Sequence, residues 1–235
     1  MNPTHIIHLK ETESTNSYAK ALLSSGEPFT PYTLIYTDNQ TNGRGRLSRI
    51  WESQKGDSLC MSLIVPFPNN PCVTLIAAMG VYNVLRDICD NTLLIKWPND
   101  LVAGNKKLCG ILTESTQEAA IIGIGVNLNN TEFSENIRHK ATSLKILTNK
   151  NFAPLDLAEK IAASVRNLLE TTQGTLTPDF LKTYTNLCAN IGKEVHFSGQ
   201  TGLAIGIGEN GALMVNTHEG IKSVTSGEVA VSGIY

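Results

Sequence analysis

The chain has 235 residues, 41% of them hydrophobic and 17% charged, with a formal net charge of −2. Those values suit one large globular domain, or one domain with a small companion, and they allow a sizeable core. They exclude a global basic field that would steer the whole molecule to nucleic acid or a membrane, so any basic site must be local.

In chain order, residues 6–10 read as a short strand. A turn and a helix follow, with Ser14 or Thr15 as the cap, Ala19, Leu22 and Leu23 as the apolar positions, and Gly26 just past the end. Residues 32–40 and 57–66 are strands, and 73–89 are apolar at helical spacing over a core-helix length. A strand over 92–97 runs into Pro98, and 100–115 reads as a hairpin turning at Gly104–Asn105. Residues 119–129 form a largely apolar, buried strand, and 155–173 and 178–191 are amphipathic helices. After about Asn190 nearly half of the glycines crowd into the last forty-five residues. Short strands at 193–199, 202–208, 212–217 and 227–234, parted by glycine and by the turn Glu209–Asn210–Gly211, predict a small all-β module packed on the first domain.

The five cysteines form no CxxC pair and read as reduced, packed thiols. The five histidines form no HxxxH pair and no Cys/His zinc-ligand spacing. The N-terminus lacks a leader pattern, and no run approaches the roughly eighteen apolar residues of a spanning helix. The expectation is a soluble cytoplasmic protein.

Five stretches carry chemistry. Ser14–Thr15–Asn16 stand where a strand meets a helix; alone they are a cap, and with a ligand they are polar groups beside helix N-terminal amides. The segment 41–51, TNGRGRLSRIW, sets Gly43 and Gly45 between Arg44, Arg46 and Arg49 and closes on Trp51. The glycines permit close approach, and the guanidinium forks suit phosphate or carboxylate. An RGG-like RNA contact would want repetition or a basic domain, and there is one copy on a mildly acidic chain. Neither GxxxxGK[ST] nor GxGxxG occurs. In Lys96–Trp97–Pro98–Asn99–Asp100, the proline ends the strand, leaving a cation for phosphate beside a carboxylate for Mg²⁺. Lys107 follows a tight turn, and Gly110 admits a ligand or a second backbone. Gly123 and Gly125 interrupt a buried strand, by close approach or by a bulge, and Asn127 is polar where apolar residues are expected.

The succession STN, Q..GRGR..R.W, KWPND, K.CGIL, GIGVN and a late GEV.V resembles the biotin protein ligases, from about Glu13 to Val231. The resemblance implies an α+β fold: a mixed-sheet catalytic domain of the class II synthetase-like, biotin–lipoate ligase type over 1–189, then an SH3-like β-barrel over 190–235. It implies an enzyme that makes biotinyl-5′-AMP from biotin and ATP, with Mg²⁺, and passes biotin to a lysine of a biotin carboxyl carrier protein. Ser14, Thr15, Asn16 and Gln40 would take the biotin head, with Gly43, Arg44, Lys107 and Gly110 lining the same pocket. Arg46, Arg49, Trp51, Asn99, Asp100 and Asn127 would face the nucleotide, Asp100 holding the metal. Lys107 and Arg46 match the catalytic pair.

Many relatives carry an N-terminal DNA-binding domain. The STN segment stands too early here to leave room for one, so neither repression nor a nucleic-acid partner is expected. In some relatives an arginine follows GEV.V; here that position is Ser232. Monomer and sheet-edge homodimer both fit the resemblance. The rival readings are a lipoate or octanoyl ligase or transferase of the same fold, which lacks the arginine loop, and a non-catalytic biotin-binding homologue.

Overall fold

A computed structural model describes residues 5–26, 28–89, 92–225 and 227–235, so the first residues of the segment without a leader pattern lie outside it. The elements are β1 (His5–Leu9), α1 (Thr15–Ser24), β2 (Thr33–Thr37), β3 (Ser58–Val65), α2 (Val73–Leu85), β4 (Leu93–Lys96), β5 (Asp100–Ala103), β6 (Lys106–Ser115) and β7 (Ala120–Asn127). Then come α3 (Leu144–Thr148), α4 (Pro154–Thr172), α5 (Pro178–Leu187), β8 (Glu194–Phe197), β9 (Gln200–Ile207), β10 (Leu213–Thr217), β11 (Gly220–Val224) and β12 (Ala230–Val231).

The first seven strands form one sheet in the order β1-β2-β3-β7-β6-β5-β4. Only β1 and β2 pair in parallel; the other neighbours are antiparallel, which makes the expected mixed sheet. The pleat divides its two faces. Leu59, Met61 and Leu63 of β3 and Ile122, Ile124 and Val126 of β7 turn into the main core, under α2 and α4. Alternate residues turn the other way, where α1 closes a smaller cluster of Ala19, Ile35, Ile64, Ala119 and Ile121, with Leu22 and Leu23 packed against it. Helix α2 is buried along most of its length. A Cβ at Gly80 would lie 2.7 Å from Val165 Cγ2, so the glycine sets how closely α4 can approach.

The β5–β6 hairpin turns at Gly104 and Asn105, both at positive φ (+55° and +65°), as a two-residue hairpin of this hand requires. The hairpin, with a register shift between Leu101 and Val102, brings the Asp100 and Lys107 side chains together. Helices α4 and α5 begin with proline at the first turn, and Thr177 Oγ1 accepts the Phe180 N–H at 3.2 Å.

The C-terminal strands form a five-stranded antiparallel sheet, β11-β10-β9-β8-β12. The sequence reading missed β11, whose GIKSV stretch alternates weakly, and gave β12 more length than its two residues. It also missed α3, whose five residues are too few to establish a helical period. Val195, Phe197, Ala204, Leu213 and Val215 of this sheet belong to the same buried cluster as α2 and α4, so one apolar core runs through both sheets. Trp97 ties them further: its backbone N–H donates to Asn190 Oδ1 at 2.8 Å and its indole N–H to Gly211 O at 2.9 Å. Among the described residues no helix is long and apolar enough to cross a membrane.

Candidate active site

A cavity of about 550 Å³ opens on the sheet face opposite α2. Its floor is glycine. In the ladder Gly110 stands directly opposite Gly125, and Gly123 opposite Leu112 and Ser62. The β3–β7 register runs unbroken from Ser58 to Val65, so the glycines of β7 mark close approach and not a bulge. A Cβ at Gly125 would stand 2.4 Å from the Trp51 ring, and one at Gly123 would stand 2.4 Å from Asn16 Oδ1. At Gly110 a Cβ would meet both Lys107 Cε and Trp51 Cζ3 at 3.0 Å.

One end of the cavity is a buried polar network. Ser14, Thr15 and Asn16 are at most 4% exposed. Ser14 takes the N-cap position of α1 but makes no side-chain cap bond; Gln40 Oε1 instead accepts the Thr15 N–H at 3.0 Å. Ser62 Oγ stands 2.7 Å from Thr15 Oγ1 and 2.6 Å from Asn16 Oδ1. Asn16 Nδ2 donates to Glu114 Oε2 at 2.8 Å, and Lys20 Nζ lies 2.6 Å from the other Glu114 oxygen. Burial works to raise the Glu114 pKa, but hydrogen bonds from Lys20 and Asn16, with the charges of Lys20 and Arg44, hold it below the ordinary carboxylate value. Among the described residues the Ser14 hydroxyl has no protein partner, which leaves it free to meet a ligand.

The other end is charged. Lys107 Nζ lies 2.8 Å from Asp100 Oδ1. Asn99 is pinned between strands, with its Nδ2 donating to Ile111 O at 2.9 Å and its carbonyl accepting the Ile111 N–H at 2.8 Å. Arg46 crosses the opening, donating from Nη1 to Asn99 Oδ1 at 2.8 Å and from Nη2 to Gly227 O at 2.7 Å. Arg49 pairs with Glu228, and the bond raises the guanidinium pKa and lowers that of the carboxyl. Lys96 is 8% exposed, and burial pulls its ammonium down to about 8 despite the nearby Asp100. Its Nζ sits 3.5 Å from the centre of the Tyr235 ring. Four cations, Lys96, Lys107, Arg46 and Arg49, against two carboxylates, Asp100 and Glu228, leave an excess of positive charge that suits a polyanion.

The segment carrying the arginines folds back on itself. Trp51 N–H donates to Gly43 O at 3.0 Å and Gly45 N–H to Arg49 O at 2.8 Å, while Thr41 and Asn42 N–H groups anchor its base on Thr12 and Glu13 carbonyls. Leu47 and Ser48 at its tip hold left-handed φ of +55° and +59°. Lys107 is framed by backbone: its N–H donates to Lys140 O at 2.7 Å and its carbonyl accepts the Thr142 N–H at 2.9 Å. Asn127 Nδ2 donates to Thr142 O at 2.9 Å, so the polar residue of β7 holds the 140–142 segment against the site.

The residues singled out in the sequence therefore converge, with one exception. Ser14, Thr15, Asn16, Gln40, Arg44, Arg46, Arg49, Trp51, Asn99, Asp100, Lys107, Gly110 and Asn127 all line the cavity. Gly43 stands behind it, where a Cβ would lie 2.4 Å from Trp51 O and 2.7 Å from Gln40 Nε2. The sequence reading passed over Ser62, Glu114 and Tyr235. Ser62 carried a faint signal, a hydroxyl amid an apolar strand; Tyr235 carried none. Among the described residues no group of three or more His, Cys, Asp or Glu could hold a metal by itself. The donor set around Asp100 fits an ion carried in on phosphates, which needs only one or two protein carboxylates.

A glycine-floored pocket with a polar head and a cationic mouth, on a mixed sheet backed by two helices and joined to a small antiparallel sheet, is the architecture of a class suited to hold a small molecule beside a phosphate-bearing one. Residues 9–129 match the Biotin/lipoate A/B protein ligase family, and 191–232 match the biotin protein ligase C-terminal domain. The bifunctional ligase/repressor BirA of Bacillus subtilis is 33% identical over 96% of this chain and 73% of its own length. The biotin–[acetyl-CoA-carboxylase] ligase of Mycobacterium tuberculosis is 32% identical over 57% of this chain and 52% of its own. The biotin protein ligase from Aquifex aeolicus in complex with biotin and ATP superposes with a TM-score of 0.86 at 31% identity, covering 97% of this chain and 98% of that one. The chain belongs to the Biotin/lipoate A/B protein ligase family.

Proposed function

We propose that this protein activates biotin with ATP as biotinyl-5′-AMP and transfers it to a lysine of a biotin carboxyl carrier protein. The observation that carries the reading is the pairing, in one cavity, of a buried hydrogen-bonding end at Ser14–Asn16 with Lys107, Asp100 and Arg46 at the other. A ureido head needs the first, since a buried polar group left unpaired costs about 1–3 kcal/mol. A triphosphate needs the second.

The biotin carboxylate is itself the nucleophile. Its oxygen bonds to the α-phosphorus as the bond to the bridging oxygen breaks and pyrophosphate leaves. Two anions must meet, so the protein's task is charge. Lys107 and Arg46, at the charged end of the cavity, would neutralise the reacting groups, and Asp100, paired with Lys107, would hold Mg²⁺. When bound, the ion adds positive charge to the phosphates. In the second half-reaction the carrier amine attacks the anhydride carbonyl, an amide forms and AMP leaves. Trp51 and the arginine segment line the cavity and, with the intermediate bound, would keep water from the anhydride.

The test is biotin-dependent exchange of labelled pyrophosphate into ATP, with lipoate as the control. Exchange with biotin alone is expected; exchange with lipoate alone would move the reading to the sister activity. Lys107→Ala should lower exchange on the order of 10²–10³-fold while biotin still binds. Turnover equal to the parent would remove Lys107 from the chemistry.

A further inference from the structure

Tyr235 lies at the cationic end of the cavity, and nothing in the reaction described above uses it. Its hydroxyl donates to Asp100 Oδ2. Asp100 Oδ1 is already held by Lys107 at 2.8 Å, so both oxygens of the carboxylate are engaged. The same phenol presents its ring to Lys96, whose Nζ stands 3.5 Å from the ring centre. Among the described residues this π face is the contact the buried Lys96 ammonium makes; it has no ion pair or hydrogen bond. One side chain thus covers both the carboxylate suited to a metal and a buried cation suited to a phosphate. The backbone here is secured separately, because Tyr235 N–H donates to Asn105 O at 3.2 Å and Ile234 is 2% exposed. The ring, 37% exposed as a residue, can therefore be displaced while the backbone stays in place.

We infer that Lys96 and Asp100 form the seat of the metal-bound polyphosphate of ATP, and that Tyr235 fills this seat until the nucleotide displaces it. The inference rests on the ligase reading and adds to it one competing side chain, Tyr235. The physical case is an exchange of partners. An aromatic face holds an ammonium weakly compared with a phosphate oxygen, and the phenol on Asp100 Oδ2 occupies the side of the carboxylate from which an ion would be taken. Arg49 and Glu228, also charged and close to Tyr235, neutralise one another, so neither supplies an alternative seat. Where the binding-competent form is a fraction of the whole, apparent affinity falls by that fraction.

The KM for ATP in the exchange assay at saturating biotin reads the competition, and calorimetric binding of Mg-ATP reads it without turnover. Tyr235→Ala should lower both the KM and the dissociation constant by roughly tenfold, the scale of one charge-assisted hydrogen bond. Tyr235→Phe, which keeps the ring but frees Asp100, should fall between. The KM for biotin reports that the pocket is intact. A Tyr235→Ala protein that binds ATP as the parent does, or more weakly, overturns the inference, the weaker case making Tyr235 part of the nucleotide's own seat. A parent protein that binds Mg-ATP but exchanges nothing would count against the ligase reading alone.

Discussion

Glu114 shows how far a single side chain can organise this site. Its two oxygens gather Asn16 and Lys20, with Arg44 4.0 Å away, and through Asn16 and Ser62 they fix the polar end of the cavity. Its pKa in the fold lies below the unfolded value, so the unfolded state takes up the proton first. The stability Glu114 contributes is whole above about 4.5 and is lost as pH falls through the folded value. Chemical denaturation across that range should show the parent losing stability more steeply than Glu114→Gln, and equal slopes would remove the carboxylate from the account. The glycines act at the same scale by omission. Gly123 and Gly125 exclude a Cβ where Asn16 and the Trp51 ring must lie, so no larger residue can keep this floor without moving them.

At the scale of the element, the arginine-bearing segment is closed by a latch it does not own. Arg46 reaches Gly227 O and Arg49 pairs with Glu228, both in the stretch leading to β12. Removing Glu228 should loosen that segment. The expected result for Glu228→Ala is faster tryptic cleavage after the loop arginines, with the melting temperature little changed. An exposed ion pair of this kind contributes about 0–1 kcal/mol. Cleavage at the parent's rate would mean the Arg46 contact alone keeps the segment down.

For the whole molecule, the question is what joins the two sheets. Their shared apolar core does most of it, and Trp97 makes the junction specific by bonding Asn190 and Gly211 at once. Asn190→Ala leaves the Trp97 backbone N–H buried without its acceptor. The cost should be about 1–3 kcal/mol, read as one cooperative unfolding transition displaced to lower denaturant. If instead the transition splits in two, the sheets fold as separate units. Because Lys96 adjoins this tryptophan and Asp100 follows three residues on, exchange activity should fall with it.

Much of this arrangement was legible in order along the chain. Period-2 strands, the Gly104–Asn105 turn and the proline-led helices follow from local backbone physics, and so does the texture change near Asn190. The glycine and arginine spacing of 41–51 marked a loop for an anionic ligand, and Arg44, Arg46, Arg49 and Trp51 of that loop do line one cavity with nine other residues singled out in the sequence. Other features depend on partners remote in sequence. No local pattern tells that Gln40 caps α1 in place of Ser14, that Gly43 supports Trp51 from behind, or that Tyr235 meets Asp100 and Lys96. Helical and strand periods are properties of neighbours, so the sequence alone determined most of the elements, short ones such as α3 and β11 apart, and the chemistry they carry. Which groups face one another across the cavity is decided by packing over separations of tens to hundreds of residues, and only the tertiary structure could set it.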